Sequence, residues 1–256
     1  MTSIVSWNVN GIRSVLGKGF LPWLKASGAD VVCLQETKIQ TSQLTGELIS
    51  PPGLSYRSYW HCALRKGYSS VAAYCREEPL SVSPLGAPEF DGEGRVMVLE
   101  FPAFTVINAY FPNSQEGGAR LSYKLSFCDA ILKYASRLVK KGKNVVICGD
   151  YNIAHTAIDL ARPKQNEESP GYLPEERAWM DKFTSSGFTD TFRMFTKGPG
   201  HYSWWSYRGN ARANDVGWRL DYHCVNEGFS PRVKSSEILK DVGGSDHCPV
   251  RVRLDV

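Results

Sequence analysis

A chain of 256 residues that is 42% hydrophobic and 22% charged can bury a sizeable core without disulfide or metal staples, which excludes a disordered chain or a small disulfide scaffold. Its net charge of +4 is too small to argue for nucleic-acid binding by itself, and does not oppose it, because a local basic rim can serve where the total is modest. Seven scattered cysteines, no two separated by only two residues, exclude a zinc ribbon and suit reduced thiols; with no secretory start and no apolar run of membrane length, they predict a soluble cytoplasmic protein.

Val- and Ile-rich apolar runs recur along the chain. Ser3 to Asn8 reads as a buried strand. Phe20 to Ser27 reads as a short helix with Pro22 in its first turn and Gly28 stopping it. Asp30 to Gln35 is a second buried strand, so the three elements form a β-α-β unit. Further strands are expected at Ser69 to Tyr74, Arg95 to Phe101 and Phe104 to Tyr110, with Pro102 marking the last turn. The longest helix runs from about Gly118 to Lys140, with Leu121, Leu125, Cys128, Leu132 and Val139 on one face. Asn144 to Gly149 is another buried strand, and Glu175 to Ser186 a helix with acidic residues at its start. Leu220 to Asn226 and Pro249 to Leu254 close the chain; the last alternates apolar and charged residues, the pattern of a strand with one wet face. No low-complexity linker interrupts this series, which predicts one α/β domain over residues 1–256. Two stacked sheets covered by helices fit the tally.

Polar residues cluster where the apolar runs end, and strand ends hold side chains rigidly beside open loops. Glu36 ends V-V-C-L-Q-E, where a carboxylate is costly unless compensated, and a hard divalent cation compensates it. Read alone, it is better taken as a strand-end Glu in water. Asp150 and Asn152 follow V-V-I-C-G; they are either a carboxylate and an amide facing one phosphate or an Asx turn. Asp246 and His247 offer a metal ligand and a phosphate donor, or a plain surface loop. Asp221 can orient that His as in hydrolytic triads, or can pair with Arg219. From Tyr202 to Trp218, aromatics alternate with Arg208 and Arg212, a composition suited to stacking on bases and holding phosphates.

Each pair is weak alone, but their order is not. S-W-N-V-N-G, L-Q-E-T-K, N-A-Y-F-P-N, G-D-Y-N-I-A-H, G-W-R-L-D-Y and G-S-D-H-C-P, spread from Ser6 to Pro249, resemble the exonuclease III-type AP endonucleases of the endonuclease/exonuclease/phosphatase superfamily, relatives of DNase I. The resemblance implies a four-layer αββα sandwich of two mixed sheets between helices. It implies a Mg²⁺-dependent DNA repair nuclease, with Mn²⁺ as substitute, that cuts 5′ to abasic sites in double-stranded DNA and leaves a 3′-hydroxyl and a 5′-deoxyribose phosphate. It also implies 3′-5′ exonuclease and 3′-end trimming on nicks and damaged ends, and incision beside damaged or deaminated bases such as uracil.

By the same resemblance Glu36 is the main metal ligand, with Asn8 and Asp246 nearby and Asp150 and Asn152 also in the metal set. Asp150 orients or deprotonates water, Asn152 and Tyr110 contact the phosphate, and His247 donates to it under the hold of Asp221. The general base is left open among Asp150, Tyr110 and the Asp221–His247 pair, and so is the number of metal ions. Trp204, Trp218 and Leu220 match pocket walls, Gly171 keeps the pocket clear, and Arg208 is placed to wedge into the duplex. Asn10, Lys38, Lys66, Tyr68 and Asn166 match DNA contacts. Asn10 stands where some relatives carry Asp, Ser70 where they often carry Gly, and Val5 where animal members carry a redox-linked Cys. With no N-terminal extension, these point to a bacterial or archaeal protein, a monomer with no obligate protein partner. Phosphoinositide phosphatases and sphingomyelinases share the metal and Asp-His motifs; the R-P-K-Q-N loop and the Trp-rich segment favour DNA. A catalytically silent DNA-binding protein is the alternative from another class, and the full polar set argues against it.

Overall fold

The computed structural model describes residues 1–256. Twelve strands form it: β1 (Thr2–Asn8), β2 (Val31–Gln35), β3 (Arg57–His61), β4 (Val71–Cys75), β5 (Ser81–Ser83), β6 (Val96–Glu100), β7 (Thr105–Tyr110), β8 (Val145–Asp150), β9 (Phe188–Asp190), β10 (Asp221–Asn226), β11 (Val233–Ile238) and β12 (Val250–Leu254). The helices are α1 (Ile12–Leu16), α2 (Phe20–Ser27), α3 (Gly46–Ile49), α4 (Pro88–Asp91), α5 (Leu121–Lys140), α6 (Pro174–Ser185) and α7 (Thr191–Phe195). No helix is long and apolar enough to cross a membrane.

The strands build two six-stranded mixed sheets, β11-β12-β1-β2-β4-β3 and β5-β6-β7-β8-β10-β9. Their centres repeat one pattern. In the first, β1 lies parallel to β2 and antiparallel to β12; in the second, β7 lies parallel to β8 and antiparallel to β6. The central strands are apolar on both faces because both faces are covered. Ile4, Cys33 and Ala73 of one sheet meet Leu99, Val106 and Val146 of the other in a shared inner layer. Outside the first sheet, Val5, Trp7 and Leu34 pack on Phe20 and Leu24 of α2. Outside the second, Ile107 and Ile147 pack on Phe127 and Ile131 of α5 and on Met180 of α6. Each such fully buried side chain contributes roughly 1.5–3 kcal/mol. The result is the four-layer sandwich the motifs imply.

Three expectations need correction. Strand β4 starts at Val71, because Ser69 and Ser70 adopt φ of 43° and 75°, which no strand accommodates. Four short or polar strands, β3, β5, β9 and β11, escaped the apolar-run reading. The buried face of α5 is Lys124, Phe127, Cys128, Ile131, Leu132 and Ala135, whereas Leu121, Leu125 and Val139 sit at its margins. A fully buried lysine on that face is the consequence taken up below.

Candidate active site

Parallel strands deliver their C-terminal ends to the same side, and each sheet contributes such a pair. Strand β1 ends at Asn8, β2 runs into Glu36, β7 ends at Tyr110 and β8 at Asp150. Asn8 joins the two edges: its Nδ2 donates to Glu36 Oε2 at 3.1 Å and to Asp150 Oδ2 at 2.9 Å. Further in, Gln35 Nε2 donates to Ser6 and to Asn108, whose own amide donates to Ala72 O. This buried polar bridge ties the sheets together directly behind the site.

A cleft of about 840 Å³ opens at that edge. Of the expected residues, Glu36, Asp150, Asp246, His247, Asn10, Lys38, Tyr110 and Asn152 line one part of it. Asn166, Gly171, Trp204, Arg208, Trp218 and Leu220 line the other. Asn8 and Asp221 lie behind the surface, buried. Lys66 and Tyr68 are outside the cleft: Lys66 is exposed, and Tyr68 lies in a neighbouring dent, where its hydroxyl accepts from Arg95 and Arg120. Five of the ten non-glycine residues at positive φ line the cleft, namely Asn10, Glu36, Lys38, Asn152 and Arg162. Such conformations cost of order 1–3 kcal/mol each and persist where the surroundings over-determine them.

The chain reverses after β8. Asn152 has φ 51°, so the strand does not continue, and Asn152 N donates to Asp150 Oδ1 at 2.8 Å. The Asx turn and the candidate site are one feature. Asn152 Nδ2 donates to Phe111 O and Asp150 Oδ2, and its Oδ1 accepts from Asn113. Both ends of this amide are therefore held. Asn8 likewise turns Nδ2 toward the carboxylates and uses Oδ1 to accept from Asn10 N, so it bridges the acids here rather than presenting an oxygen to an ion.

The oxygens left facing the cleft fit a hard divalent cation. Lys38 Nζ already marks a cationic position, 3.0 Å from Glu36 Oε1 and 2.5 Å from Asn10 Oδ1, and Asn10 Nδ2 donates to Asp246 Oδ1 at 2.9 Å. Lys38 is partly exposed on a flexible stem and can leave that position. Glu36 and Asp246 beside it form an all-oxygen, partly solvated set, while Asp150 lies deeper, buried, with both oxygens bonded to Asn8 and Asn152. Ligand atoms of Asp150, Asp221 and His247 also lie within 4.8 Å of one another. In that trio His247 Nδ1 is bonded to Asp221 Oδ2 at 2.8 Å, while Nε2 stands 3.8 Å from Asp150 Oδ2. That is the wiring of an oriented imidazole rather than a cage for an ion.

Electrostatics separates the groups. Burial alone would depress the His247 pKa, but Asp221, Asp150 and Asp246 outweigh it and raise it to about 10. The ring is an imidazolium at neutral pH, a donor on both nitrogens. Burial raises Asp150 to about 7, against the pull of His247 and the bonds from Asn152 and Asn8. Burial, then Glu36 and Asp150, push the Tyr110 phenol well above its ordinary value, so it keeps its proton.

The apolar half is braced differently. Trp204 Nε1 donates to Asp246 Oδ2 at 3.1 Å, and Trp204 meets Trp218 edge-on at 6.2 Å. Trp218 and Trp204 pack on Leu160, Tyr172 and Leu220. Between Trp218 and Leu220, Arg219 points the other way, into Asp159 and Asp190 at 2.7 Å each. Arg219 is therefore not the partner of Asp221, which accepts from Ser203 and His247 instead. A Cβ on Gly171 would sit 3.1 Å from Asn152 O and 3.4 Å from Trp218 Cζ3, so the pocket floor is closed against bulk. Sequence reasoning missed Asn113, although it ends the N-A-Y-F-P-N motif, and Ser203, which carries no local signal at all.

Comparisons with known proteins give the family and the fold. Residues 5–247 match the model of the endonuclease/exonuclease/phosphatase family. The chain is 43% identical to the exodeoxyribonuclease of Bacillus subtilis, over 99% of each. It is 39% identical to the DNA repair nuclease APEX1 of Danio rerio, covering 99% of this chain and 82% of that one. An AP endonuclease structure from Archaeoglobus fulgidus superimposes with a TM-score of 0.88 at 27% identity, over 100% of both chains.

Proposed function

This chain belongs to the endonuclease/exonuclease/phosphatase family, and on that premise we propose that it is a metal-dependent DNA repair nuclease that hydrolyses the phosphodiester 5′ to abasic sites in double-stranded DNA. The observation that carries the substrate is the shared cleft: Trp204, Trp218 and Leu220, with Gly171 closed against bulk, line the same cleft as the acidic cluster. A sugar without a base is cheap to extrude and small enough to enter, while a normal nucleotide is excluded.

Asp150 sits at the meeting point of both sheets with a raised pKa, and takes the proton of the attacking water. His247 is too basic to do so at neutral pH; held by Asp221, it presents Nε2–H to a phosphate oxygen. The Tyr110 phenol keeps its proton and donates to the same phosphate, and Asn152, locked at both ends, faces it beside Asp150. The water oxygen bonds to phosphorus, the bond from phosphorus to the upstream 3′ oxygen breaks, and that oxygen takes a proton from solvent, so that a 3′-hydroxyl and a 5′-deoxyribose phosphate remain while Asp150 returns its proton to solvent. Glu36 and Asp246, with Asn10 Oδ1, would hold Mg²⁺, or Mn²⁺ in its place, which would supply positive charge against the negative charge growing on the phosphate. Exposed Arg208 stands at the rim as a duplex wedge; Asn166 and Lys38 contact the backbone from within the cleft, and Lys66 and Tyr68 from beside it. The same centre serves 3′-5′ exonuclease and 3′-end trimming on nicks and damaged ends, and the Arg208 wedge extends it to incision beside deaminated bases. We take the protein to act as a monomer, and its seven free cysteines suit work in the cytoplasm.

The test is cleavage of an end-labelled duplex carrying one abasic-site analogue, with Mg²⁺ and with EDTA. Incision at the 5′ phosphate of the lesion that vanishes in EDTA is the expected result. Cutting that ignores the lesion, or that persists in EDTA, would contradict the proposal.

A further inference from the structure

The buried lysine of α5 has a partner. Lys124 Nζ donates to Glu176 Oε1 of α6 at 2.6 Å, and both side chains are 0% exposed. A fully buried ion pair is a poor way to gain stability, because apolar residues of similar volume do as well or better. What this pair does have is reach. Lys124 Nζ also donates to Asn152 O at 2.6 Å. Glu176 Oε1 accepts from Ser114 Oγ at 2.8 Å, and Oε2 accepts from Gly171 N at 2.7 Å and Leu173 N at 2.9 Å. The pair thus grips the turn after β8, the loop after β7 and the pocket floor.

Two of those points lie at positive φ, which costs a non-glycine residue such as Asn152 and suits Gly171. Asn152 has φ 51° and Gly171 φ 94°. They also touch: an added Cβ on Gly171 meets Asn152 O at 3.1 Å, and Ala154 N donates to Gly171 O at 2.8 Å. The carbonyl that Lys124 holds belongs to the residue whose amide stands beside Asp150, and the N–H that Glu176 holds belongs to the pocket floor.

We propose that the Lys124–Glu176 pair is a positioning device that fixes Asn152 against Asp150 and Gly171 against Trp218, and so sets both turnover and selectivity for an abasic sugar. This rests on the reaction and substrate proposed above. Neither side chain reaches the surface, so both act through the residues they hold. A misplacement of about 1 Å at a reacting group can cost on the order of a hundredfold in rate.

The test compares the full-length wild type with the charge-neutral double variant Lys124→Met/Glu176→Gln, and with each single variant. The singles leave one buried charge uncompensated and are expected to lose stability; the double variant removes both charges and is expected to fold. On an abasic duplex, kcat of the folded double variant should fall about tenfold to a hundredfold with KM little changed. Its rate on an undamaged duplex with a recessed 3′ end, which places no lesion in the pocket, should fall by less. Wild-type kcat in the folded double variant, or an equal loss on both substrates, would overturn the proposal. Amide exchange supplies a readout independent of activity: the segments holding Asn152 and Gly171 should exchange faster in the double variant while the strands do not, and unchanged exchange there also overturns it. A wild type that cuts neither duplex contradicts the proposed reaction, and exchange then decides the positioning alone.

Discussion

On one side of the cleft, Glu36 and Asp150 stand at or just beyond strand ends, Asp246 stands on the loop before β12, and the three are cross-linked by side-chain amides and Lys38. On the other side, Trp204, Trp218 and Leu220 stand on loop and strand-entry backbone, and most of their contacts are apolar. The first half takes its precision from both sheets. The second takes it from packing and from charges placed behind it, Arg219 with Asp159 and Asp190. In the reaction proposed above, chemistry common to every phosphodiester falls to the rigid half, and choice among substrates to the half that can be reshaped without moving a strand.

That contrast can be sharpened on the acidic side through Asp221. It raises the His247 pKa together with Asp150 and Asp246, so an imidazolium donor is present below about 10 and is lost as pH rises through that value. Removing the carboxylate lowers the folded-state pKa, so Asp221→Asn should move the alkaline limb of the pH–rate profile to lower pH. It should also reduce kcat by about 10²-fold or more on abasic and recessed-end substrates alike. A pH profile from about 6 to 10 checks this, and an alkaline limb that stays in place contradicts it.

On the aromatic side, the brace can be removed without touching the cleft. Asp159 would be raised by burial, but Arg219 and Arg193 bring its pKa down to about 2. Its folded value lies below its unfolded value of about 3.9, so the stability it contributes is present above about pH 4 and is lost as pH falls toward 2. Asp159→Ala should lower stability by roughly 3–5 kcal/mol at neutral pH, because it leaves the buried Arg219 with Asp190 alone. The gap from wild type should narrow below pH 4. Denaturant unfolding at pH 7 and pH 3 measures both, and a gap independent of pH would count against the network.

Much of this was legible in sequence where burial and chemistry coincide. V-V-C-L-Q-E and V-V-I-C-G-D are apolar runs that end on carboxylates; each alone reads as a strand-end acid or an Asx turn, and the ordered set of motifs turned them into a site. Strands β3 and β11 were not legible, because R-S-Y-W-H and V-K-S-S-E-I are only partly buried and carry mixed patterns. The Lys124–Glu176 pair was hidden for the opposite reason. A lysine among leucines on a helix reads as its wet face, and a glutamate at a helix start reads as a partner for the helix dipole. Only the tertiary fold brings the two together. Gly171 was recognised by motif, while the reason it must be small, the approach of Asn152 O and Trp218, needed coordinates.

The separation of the two halves is the central claim, and single-turnover cleavage by Glu36→Gln and Trp218→Ala on two duplexes tests it most directly, one duplex abasic and the other undamaged with a recessed 3′ end. The account predicts that Glu36→Gln slows both by about 10²–10³-fold, whereas Trp218→Ala slows abasic-site incision and leaves the recessed end within about threefold of wild type. Proportional losses on both duplexes in Trp218→Ala, or a Glu36→Gln protein that still trims the recessed end at the wild-type rate, would contradict it.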